Sequence, residues 1–380
     1  MYDNIRNGRK SIGYTQPKFS CNLTGKDPQS TANRFSLENL SGRNNKILHM
    51  KTIVIIFGIF IFTGTTIAQE NIAVKSDIIF AEGPYLGQKS PGTTPELFAP
   101  GIICTGMDDR DIAISHDGRE IFYGVLEKPH YVLIWLKEIN ETWTSHEIAP
   151  FSGYYNDYEP QFSPDGNRLY FCSDRPLEGK GDPKDSDIWF VERVEDGWSE
   201  AENIGPPINT EKNEYYPSVT KTGTMYFTSY DMKICRSELT NGFYGEPEVL
   251  SDSINTRGEY NAFVDPDERY LIYTSHSWGH AAGRGDLFIA FKKEDGSWSE
   301  PSHLGDEINS PVVEMSPTVS LDGKYLFFSS MKTTDEYNPN PVKAYNELLQ
   351  SFQKPQNKKL DIYWVDAKII GELKLKKEKP

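Results

Sequence analysis

Glu159-Pro-Gln-Phe-Ser-Pro-Asp-Gly166 reads as a short strand that ends in a tight turn, and Leu169-Tyr-Phe171 follows as a second strand. Asp-Gly supplies the positive backbone angles of a tight hairpin, so the two strands are predicted to pair antiparallel. The phrase occurs five times, and its turn position is occupied in order by Asp117, Asp165, Thr222, Asp267 and Asp322. A mean spacing of about 51 residues between these positions indicates one structure built from repeated modules.

Each repeat continues into a third strand and a second tight turn. In the second repeat, Asp187-Ile-Trp-Phe-Val191 is the third strand, and Glu195-Asp-Gly197 turns the chain into a fourth strand that starts at Trp198. Four antiparallel strands in a repeat of this length are typical of a β-propeller blade. We therefore predict an all-β fold, a β-propeller with five detectable blades. The aromatic side chains of these strands, Trp198 among them, are expected between the blades.

The two ends of the repeat region complement each other. Pro95-Glu-Leu-Phe-Ala-Pro-Gly-Ile102 matches the fourth-strand segment Pro247-Glu-Val-Leu-Ser-Asp-Ser-Ile254, whereas the last repeat, which ends at Asp361-Ile-Tyr-Trp-Val-Asp366, has no such segment. The N-terminal segment is therefore expected to supply the outermost strand of the fifth blade. Such an exchange closes the ring and removes exposed sheet edges.

These motifs resemble a known repeat family. The Ser-Pro-Asp-Gly turn with its aromatic strand, Ser173-Asp-Arg-Pro176 and Asp187-Ile-Trp189 are similar to the WD-repeat-like propeller repeat of the TolB type. The resemblance extends from about residue 91 to 373 and includes exported bacterial proteins without an assigned activity. It implies an interaction module, as TolB belongs to an envelope protein complex. TolB-type rings usually have six blades and a preceding domain, so a six-bladed ring is the alternative.

The segments outside the repeats have separate expectations. A charged start at Met50, an apolar run and small residues before Gln69 indicate a signal peptide over 50–68, too short for a lasting membrane span. This places the protein in the periplasm or outside the cell. The remaining expectations are an untranslated or disordered 1–49, a lead-in at 69–90, an insertion at 331–359 with a helix near 342–352, and a basic tail at 374–380.

Charge narrows the class of partner. The formal net charge is −15, and residues 1–68 are a basic segment whose removal makes the rest more acidic. Nucleic acid is therefore a poor partner, and a protein or polysaccharide ligand is expected. Cys104, Cys172 and Cys235 lack metal-binding spacing and are expected to be small buried residues, although one disulfide between two of them stays open.

The propeller topology separates two faces. Links between second and third strands, and links between blades, share one face, here called the loop face, and the Asp-Gly turns form the opposite turn face. Function is expected on the long loops. An acid lies just ahead of the innermost strand of every blade, and three of these acids precede a tyrosine: Asp109, Asp157 with Tyr158, Glu214 with Tyr215, Glu259 with Tyr260, and Glu314.

Two interpretations of these acids are open. Clustered carboxylates at a channel mouth could bind a divalent cation or a basic or hydroxyl-rich ligand. Alternatively, each acid bonds backbone amides and fixes the blade junction, the more usual role of a feature present in every repeat. No resident cofactor is expected from the sequence.

The long loops add four more candidates. Asp174 and Arg175 are expected to pair with each other or to fix the ends of their loop. His276 and His280 lie four residues apart, but their loop is Gly-rich and no third ligand has metal-site spacing. No metal site is therefore assigned to them.

The motifs favour binding over catalysis. The sequence contains no nucleophile elbow, phosphate-binding glycine loop or zinc helix motif. The favoured function is an exported, non-catalytic binding or scaffold module at the cell envelope. The alternative is a carbohydrate-active enzyme, a glycoside hydrolase or a metal-assisted lyase, that uses the channel-mouth carboxylates. General acid and base would then need unequal environments, whereas these acids are equivalent by position.

Overall fold

Five antiparallel sheets, one for each repeat, form the fold, which confirms a five-bladed β-propeller. The structure is a computed structural model that describes residues 81–127, 130–256, 258–276, 285–333 and 344–377. The expected signal peptide at 50–68, the segment 1–49 and His280 lie outside these residues, as does 69–80 of the lead-in. All described residues belong to one unit, Ile72–Pro380.

The innermost strand of each blade is mostly buried, because it has neighbours on both sides and the propeller axis in front. Each of the last four begins at the acid noted above, and the first begins one residue before Asp109. The innermost strands are Asp108–Ile114, Asp157–Phe162, Glu214–Val219, Glu259–Val264 and Glu314–Val319.

The second and third strands pair in register outward from the axis. β-Branched and aromatic residues dominate them, as expected for strands packed between two other sheets. The second strands are Glu120–Glu127, Arg168–Ser173, Met225–Ser229, Tyr270–Ser275 and Tyr325–Ser330. The third strands are His130–Ile139, Asp187–Val194, Ile234–Ser237, Asp286–Phe291 and Asp361–Asp366.

The outermost strands are only two residues long. In blades one to four they are Glu147–Ile148, Glu202–Asn203, Glu248–Val249 and Ser302–His303. In each of the first three blades, a short stretch of strand pairing precedes the outermost strand. These stretches are Thr142–Trp143, Gly197–Trp198, and Leu239–Thr240 with Phe243–Tyr244. The predicted aromatic-led fourth strand is therefore interrupted, and Trp198 pairs with Arg193 before Glu202 pairs with Phe190.

The N-terminal strand closes the ring as predicted. Glu96–Leu97 pairs antiparallel with the third strand of blade five, Glu96 opposite Trp364 and Leu97 opposite Tyr363. Next to it, Phe98 is fully buried, with its ring 5.0 Å from that of Trp364 and 5.2 Å from that of Phe327. The first and last parts of the propeller thus share one sheet and one core.

Five apolar clusters form the core, one at each junction between neighbouring blades. The tryptophans at strand positions are buried in them, as expected: Trp189, Trp198, Trp298 and Trp364. Cys104, Cys172 and Cys235 are also buried, and none forms a disulfide.

Two α-helices accompany the described blades. Helix α1, Tyr345–Phe352, lies in the insertion between the second and third strands of blade five, close to the helix expected there. Helix α2, Lys368–Lys377, follows the last strand and buries Ile369 and Ile370 against blades four and five. Neither helix has the length and apolar character needed to cross a membrane.

Candidate functional site at the loop face

The repeated acids are almost completely buried. Their exposure is 0% for Asp109, 0% for Asp157, 3% for Glu214, 1% for Glu259 and 0% for Glu314. Burial of this degree requires hydrogen-bond or ionic partners. All five have such partners close to their own blade.

In three blades the partner is a hydroxyl residue four positions earlier. Thr210 donates its backbone N–H (3.1 Å) and hydroxyl (2.7 Å) to Glu214. Ser310 does the same for Glu314, at 2.9 and 2.5 Å, and Thr105 does so for Asp109. Each carboxylate thereby closes the loop that enters its blade. The geometry is that of the junction-fixing interpretation, and a ligand role for these acids stays a prediction.

In blade two, the partner of the repeated acid is an arginine. Arg175 Nη2 lies 2.6 Å from Asp157 Oδ1 and 2.7 Å from the Phe151 carbonyl oxygen. Asp174 does not pair with Arg175; its carboxylate accepts bonds from the backbone and side-chain amides of Asn156. Both loop-face candidates therefore hold the second-to-third-strand loop against the entry to blade two, one of the two roles expected for them.

Burial raises the pKa of four of the repeated acids, Asp109, Asp157, Glu214 and Glu314. Burial raises the pKa of Asp109 to about 7, against hydrogen bonds from Thr105 and with added repulsion from Asp361. Asp361 begins the third strand of blade five, and burial raises its pKa to about 6. Two carboxyl groups at the junction where the ring closes are thus easier to protonate than ordinary aspartates.

Two residues beyond the acid, each innermost strand contains a bulge with a left-handed backbone. The register with the second strand shifts there, and the bulge residue has a positive φ although it is not glycine. These residues are Asp111, Glu159, Tyr216, Asn261 and Ser316. Such a conformation costs of the order of 1–3 kcal/mol for each residue, so the surrounding contacts must hold it.

The bulge residues meet across the propeller axis. Arg110 of blade one donates from Nε to Asp111 (2.5 Å) and from Nη2 to Glu159 of blade two (3.2 Å). Asn261 of blade four donates to Glu159 (3.0 Å) and to Ser316 of blade five (3.3 Å). These bonds join four of the five blades.

Glu159 is the centre of the cluster. Besides Arg110 and Asn261, it accepts a bond from the Tyr216 backbone N–H (2.8 Å), and the Cys172 thiol lies 3.4 Å away. Burial and the neighbouring Asp111 raise its pKa to about 7, although Arg110 opposes this. Burial acts to lower the pKa of Arg110, but the carboxylates of Asp111 and Glu159 raise it overall. The arginine therefore stays charged, and Glu159 is easier to protonate than an ordinary glutamate.

Tyr216 connects blade three to blade five across the centre of the ring. Its side chain is fully buried, and its hydroxyl donates to the Pro317 carbonyl of blade five at 2.9 Å. Toward the turn face, the lining of a space of only about 20 Å³ includes one apolar residue from the end of each innermost strand. These are Ile114, Phe162, Val219, Val264 and Val319.

On the loop-face side, the polar cluster is surrounded by a tyrosine collar, defined here as Tyr131, Tyr158, Tyr215 and Tyr260. The last three directly precede bulge residues. Tyr131 packs on Tyr158 (ring centroids 5.3 Å apart), and the Arg110 guanidinium lies 5.5 Å from the Tyr131 ring. Tyr158, Tyr215 and Tyr131 are partly exposed, so part of each residue reaches solvent beside a buried ion cluster.

Blade four completes the collar. His276 stacks on Tyr260 with ring centroids 4.7 Å apart. Gly285 leaves room for the Tyr260 hydroxyl, because a Cβ at this glycine would lie 2.9 Å from that oxygen. Of the loop-face histidines, His276 is therefore part of the site. Within the ranges that the structure describes, no three His, Cys, Asp or Glu side chains are grouped to hold a metal ion.

Sequence reasoning identified three collar tyrosines but missed the cluster beneath them. The available signal was a polar residue in the centre of every apolar innermost strand, six positions before the turn residue. It also missed grooves on the turn face. One of about 490 Å³ lies between blades four and five and α2, beside Arg269, Asp322 and Lys374. Another of about 700 Å³ lies between blades one and two, beside Trp135 and Arg193.

Comparisons with known proteins do not assign a family. No protein-family model matches the chain, and a search of curated proteins found no match. A solved TolB from Agrobacterium tumefaciens is 15% identical, with a TM-score of 0.40, over 61% of this chain and 73% of that one. TolB from Acinetobacter baumannii is 14% identical, with a TM-score of 0.40, over 69% of this chain and 57% of that one.

Enzymes also occur among the similar structures. The catalytic domain of a GH62 α-L-arabinofuranosidase from Coprinopsis cinerea is 10% identical, with a TM-score of 0.40, over 75% of this chain and 96% of that chain. None of these likenesses is close enough to assign an activity or a partner. Membership of the TolB-type repeat family stays a prediction from the motifs.

Proposed function

We propose that this protein is a non-catalytic binding module of the TolB-type repeat class. In this proposal it is exported to the cell envelope and holds a polysaccharide or protein ligand at the loop face. The tyrosine collar is the observation that carries the proposal. Aromatic rings with polar tips give a large contact area at low entropic cost, and they pack on sugar rings or peptide side chains.

The polar cluster supports binding by keeping the collar rigid. Arg110 lies under Tyr131 and is fixed by two carboxylates, and Tyr158 is held through its hydroxyl, 2.7 Å from the Ser186 hydroxyl. A surface that is already ordered loses little entropy when a ligand binds. The repeated acids are bonded within their own blades, so the partly exposed collar is the better candidate for ligand contact.

Binding can be tested with soluble plant and algal polysaccharides, using affinity electrophoresis followed by calorimetry. We expect Tyr158→Ala or Tyr215→Ala to weaken the best ligand at least about tenfold, the usual scale for losing an aromatic anchor. Phe243→Ala is the matched control, because Phe243 is 79% exposed at a turn-face hairpin. Thermal melts confirm that the variants fold.

The two ligand classes give different results. A polysaccharide that binds wild type and the control but not the collar variants supports the proposal. Chemical crosslinking on cells that detects a protein partner lost in the same variants supports the protein ligand. Equal binding by all four proteins would place the ligand elsewhere and contradict the collar site.

The carbohydrate-active enzyme is the second candidate, favoured by a repeated acid with a raised pKa. Burial raises the pKa of Asp109 to about 7, and it also raises the pKa of Asp157, although Arg175 opposes this. A carboxyl group that stays protonated near neutral pH is what general acid catalysis requires. The test is release of reducing ends from the same polysaccharides, with and without divalent cations. Release by wild type that Asp109→Asn abolishes, with folding intact, would replace the binding proposal.

A further inference from the structure

Helix α1 presents an apolar face that the described propeller does not cover. Tyr345, Leu348, Leu349 and Phe352 occupy the i, i+3, i+4 and i+7 positions of one helical face. They are 72%, 40%, 38% and 60% exposed, and no residue of the helix is buried. The opposite face is polar, with Asn346, Glu347 and Gln350. A helix with one apolar and one polar face is stabilised when its apolar face is removed from water.

The end of α1 is fixed to the propeller. Asn357 donates from Nδ2 to the Gly106 carbonyl and to the Phe352 carbonyl, both at 2.9 Å. A Cβ on Gly106 would lie 2.7 Å from the Lys354 backbone nitrogen, so only glycine permits this close approach. The apolar face is therefore carried by a helix anchored at the link into blade one, on the loop face.

The charges around α1 indicate what kind of surface its apolar face would contact. The whole chain has a net charge of −15, yet residues 344–360 contain Lys354, Lys358 and Lys359 against the single acid Glu347. All three lysines are exposed. A local basic patch beside leucine and aromatic side chains complements a surface that is anionic and apolar beneath. This combination is typical of helices that lie in the interface of an anionic bilayer.

We propose that α1 docks the propeller on an anionic lipid surface, with Tyr345, Leu348, Leu349 and Phe352 in the headgroup region and the lysines beside lipid phosphates. One helix of this length spans only about 12 Å, so the attachment is reversible. The acidic remainder of the protein is repelled by the same surface, which orients the molecule with its loop face toward the lipid.

Vesicle flotation tests the proposal with pure phosphatidylcholine and with added phosphatidylglycerol. Binding should require the anionic lipid and fall as salt increases. Lys358→Gln with Lys359→Gln should weaken partitioning about thirtyfold, from the usual contribution of a surface lysine. Leu348→Ser with Phe352→Ser should reduce binding to background. Phe243→Ser on the turn face is the control and should bind as wild type does.

Two results would overturn the proposal. One is the absence of binding to anionic vesicles at low salt by a wild-type protein that is folded. The other is a dimer in light scattering that Leu348→Ser with Phe352→Ser converts to monomer, because a second copy would then cover the face. Since α1 buries no residue, its variants are expected to unfold at the same temperature as the wild type.

Discussion

Tyr216 is a single residue that links three blades at the centre of the ring. It belongs to blade three, yet its hydroxyl bonds a carbonyl of blade five, and its backbone N–H bonds Glu159 of blade two. The partners are 101 and 57 positions away along the chain. No local pattern encodes such pairs, so the sequence indicated polar residues in the strand centres but not the cluster that they form.

Removing the Tyr216 hydroxyl should therefore destabilise the protein. Tyr216→Phe leaves the buried Pro317 carbonyl without its donor, and we expect a loss of about 1–2 kcal/mol in the free energy of unfolding. Tyr273→Phe is the matched control, because Tyr273 is equally buried and its hydroxyl has no hydrogen-bond partner among the described residues. Urea unfolding measures both. Equal losses in the two variants would show that the Pro317 bond contributes nothing specific.

The secondary-structure elements were predictable from the sequence where the turn residues determine the backbone geometry. Asp-Gly and related turns predicted the hairpins of the first two strands, and the match of residues 95–102 to 247–254 predicted the closing strand. The fourth strands were less predictable. Their two-residue pairings follow a short hairpin pairing that differs between blades, and strand propensity does not encode where that pairing ends.

The closing strand makes Phe98 a decisive core residue. Phe98→Ala removes a fully buried ring from between Phe327 and Trp364, and we expect a loss of about 3–5 kcal/mol in unfolding free energy. Phe243→Ala, an exposed ring, should change stability by less than about 0.5 kcal/mol. If both variants melt together with wild type, the N-terminal segment does not seal the ring in solution.

For the whole molecule, the raised carboxyl pKa values predict a stability that depends on pH. Asp361 has a folded-state pKa of about 6, above the model-compound value of 3.8, so the folded protein retains a proton that the unfolded chain releases. Its contribution is present below about pH 4 and is lost as the pH rises through 6. Asp109 acts in the same direction up to about pH 7.

The substitution Asp361→Asn should remove the contribution of this residue to the pH dependence of stability. Asn cannot ionise, so the variant should gain stability relative to wild type at pH 8, and the gain should shrink at pH 5. Asp165→Asn is the control: its pKa is lowered by a hydrogen bond from Ser163, so its effect should be the same at both pH values. Chemical unfolding at pH 5 and 8 gives both differences. A gain from Asp361→Asn that does not vary with pH would contradict the raised pKa.

The strand pairing of Glu96–Leu97 with Asp361–Asp366 also governs the order in which the molecule can be made. Ribosomes release the first half of this pair long before the second, so every growing chain carries an unpaired edge strand until its final blade has emerged. Any product that stops before Asp361 keeps two open sheet edges, where chaperones and proteases can recognise it. The ring can therefore close only after the strand Asp361–Asp366 has been synthesised, and a chain that lacks this strand is left with an open ring.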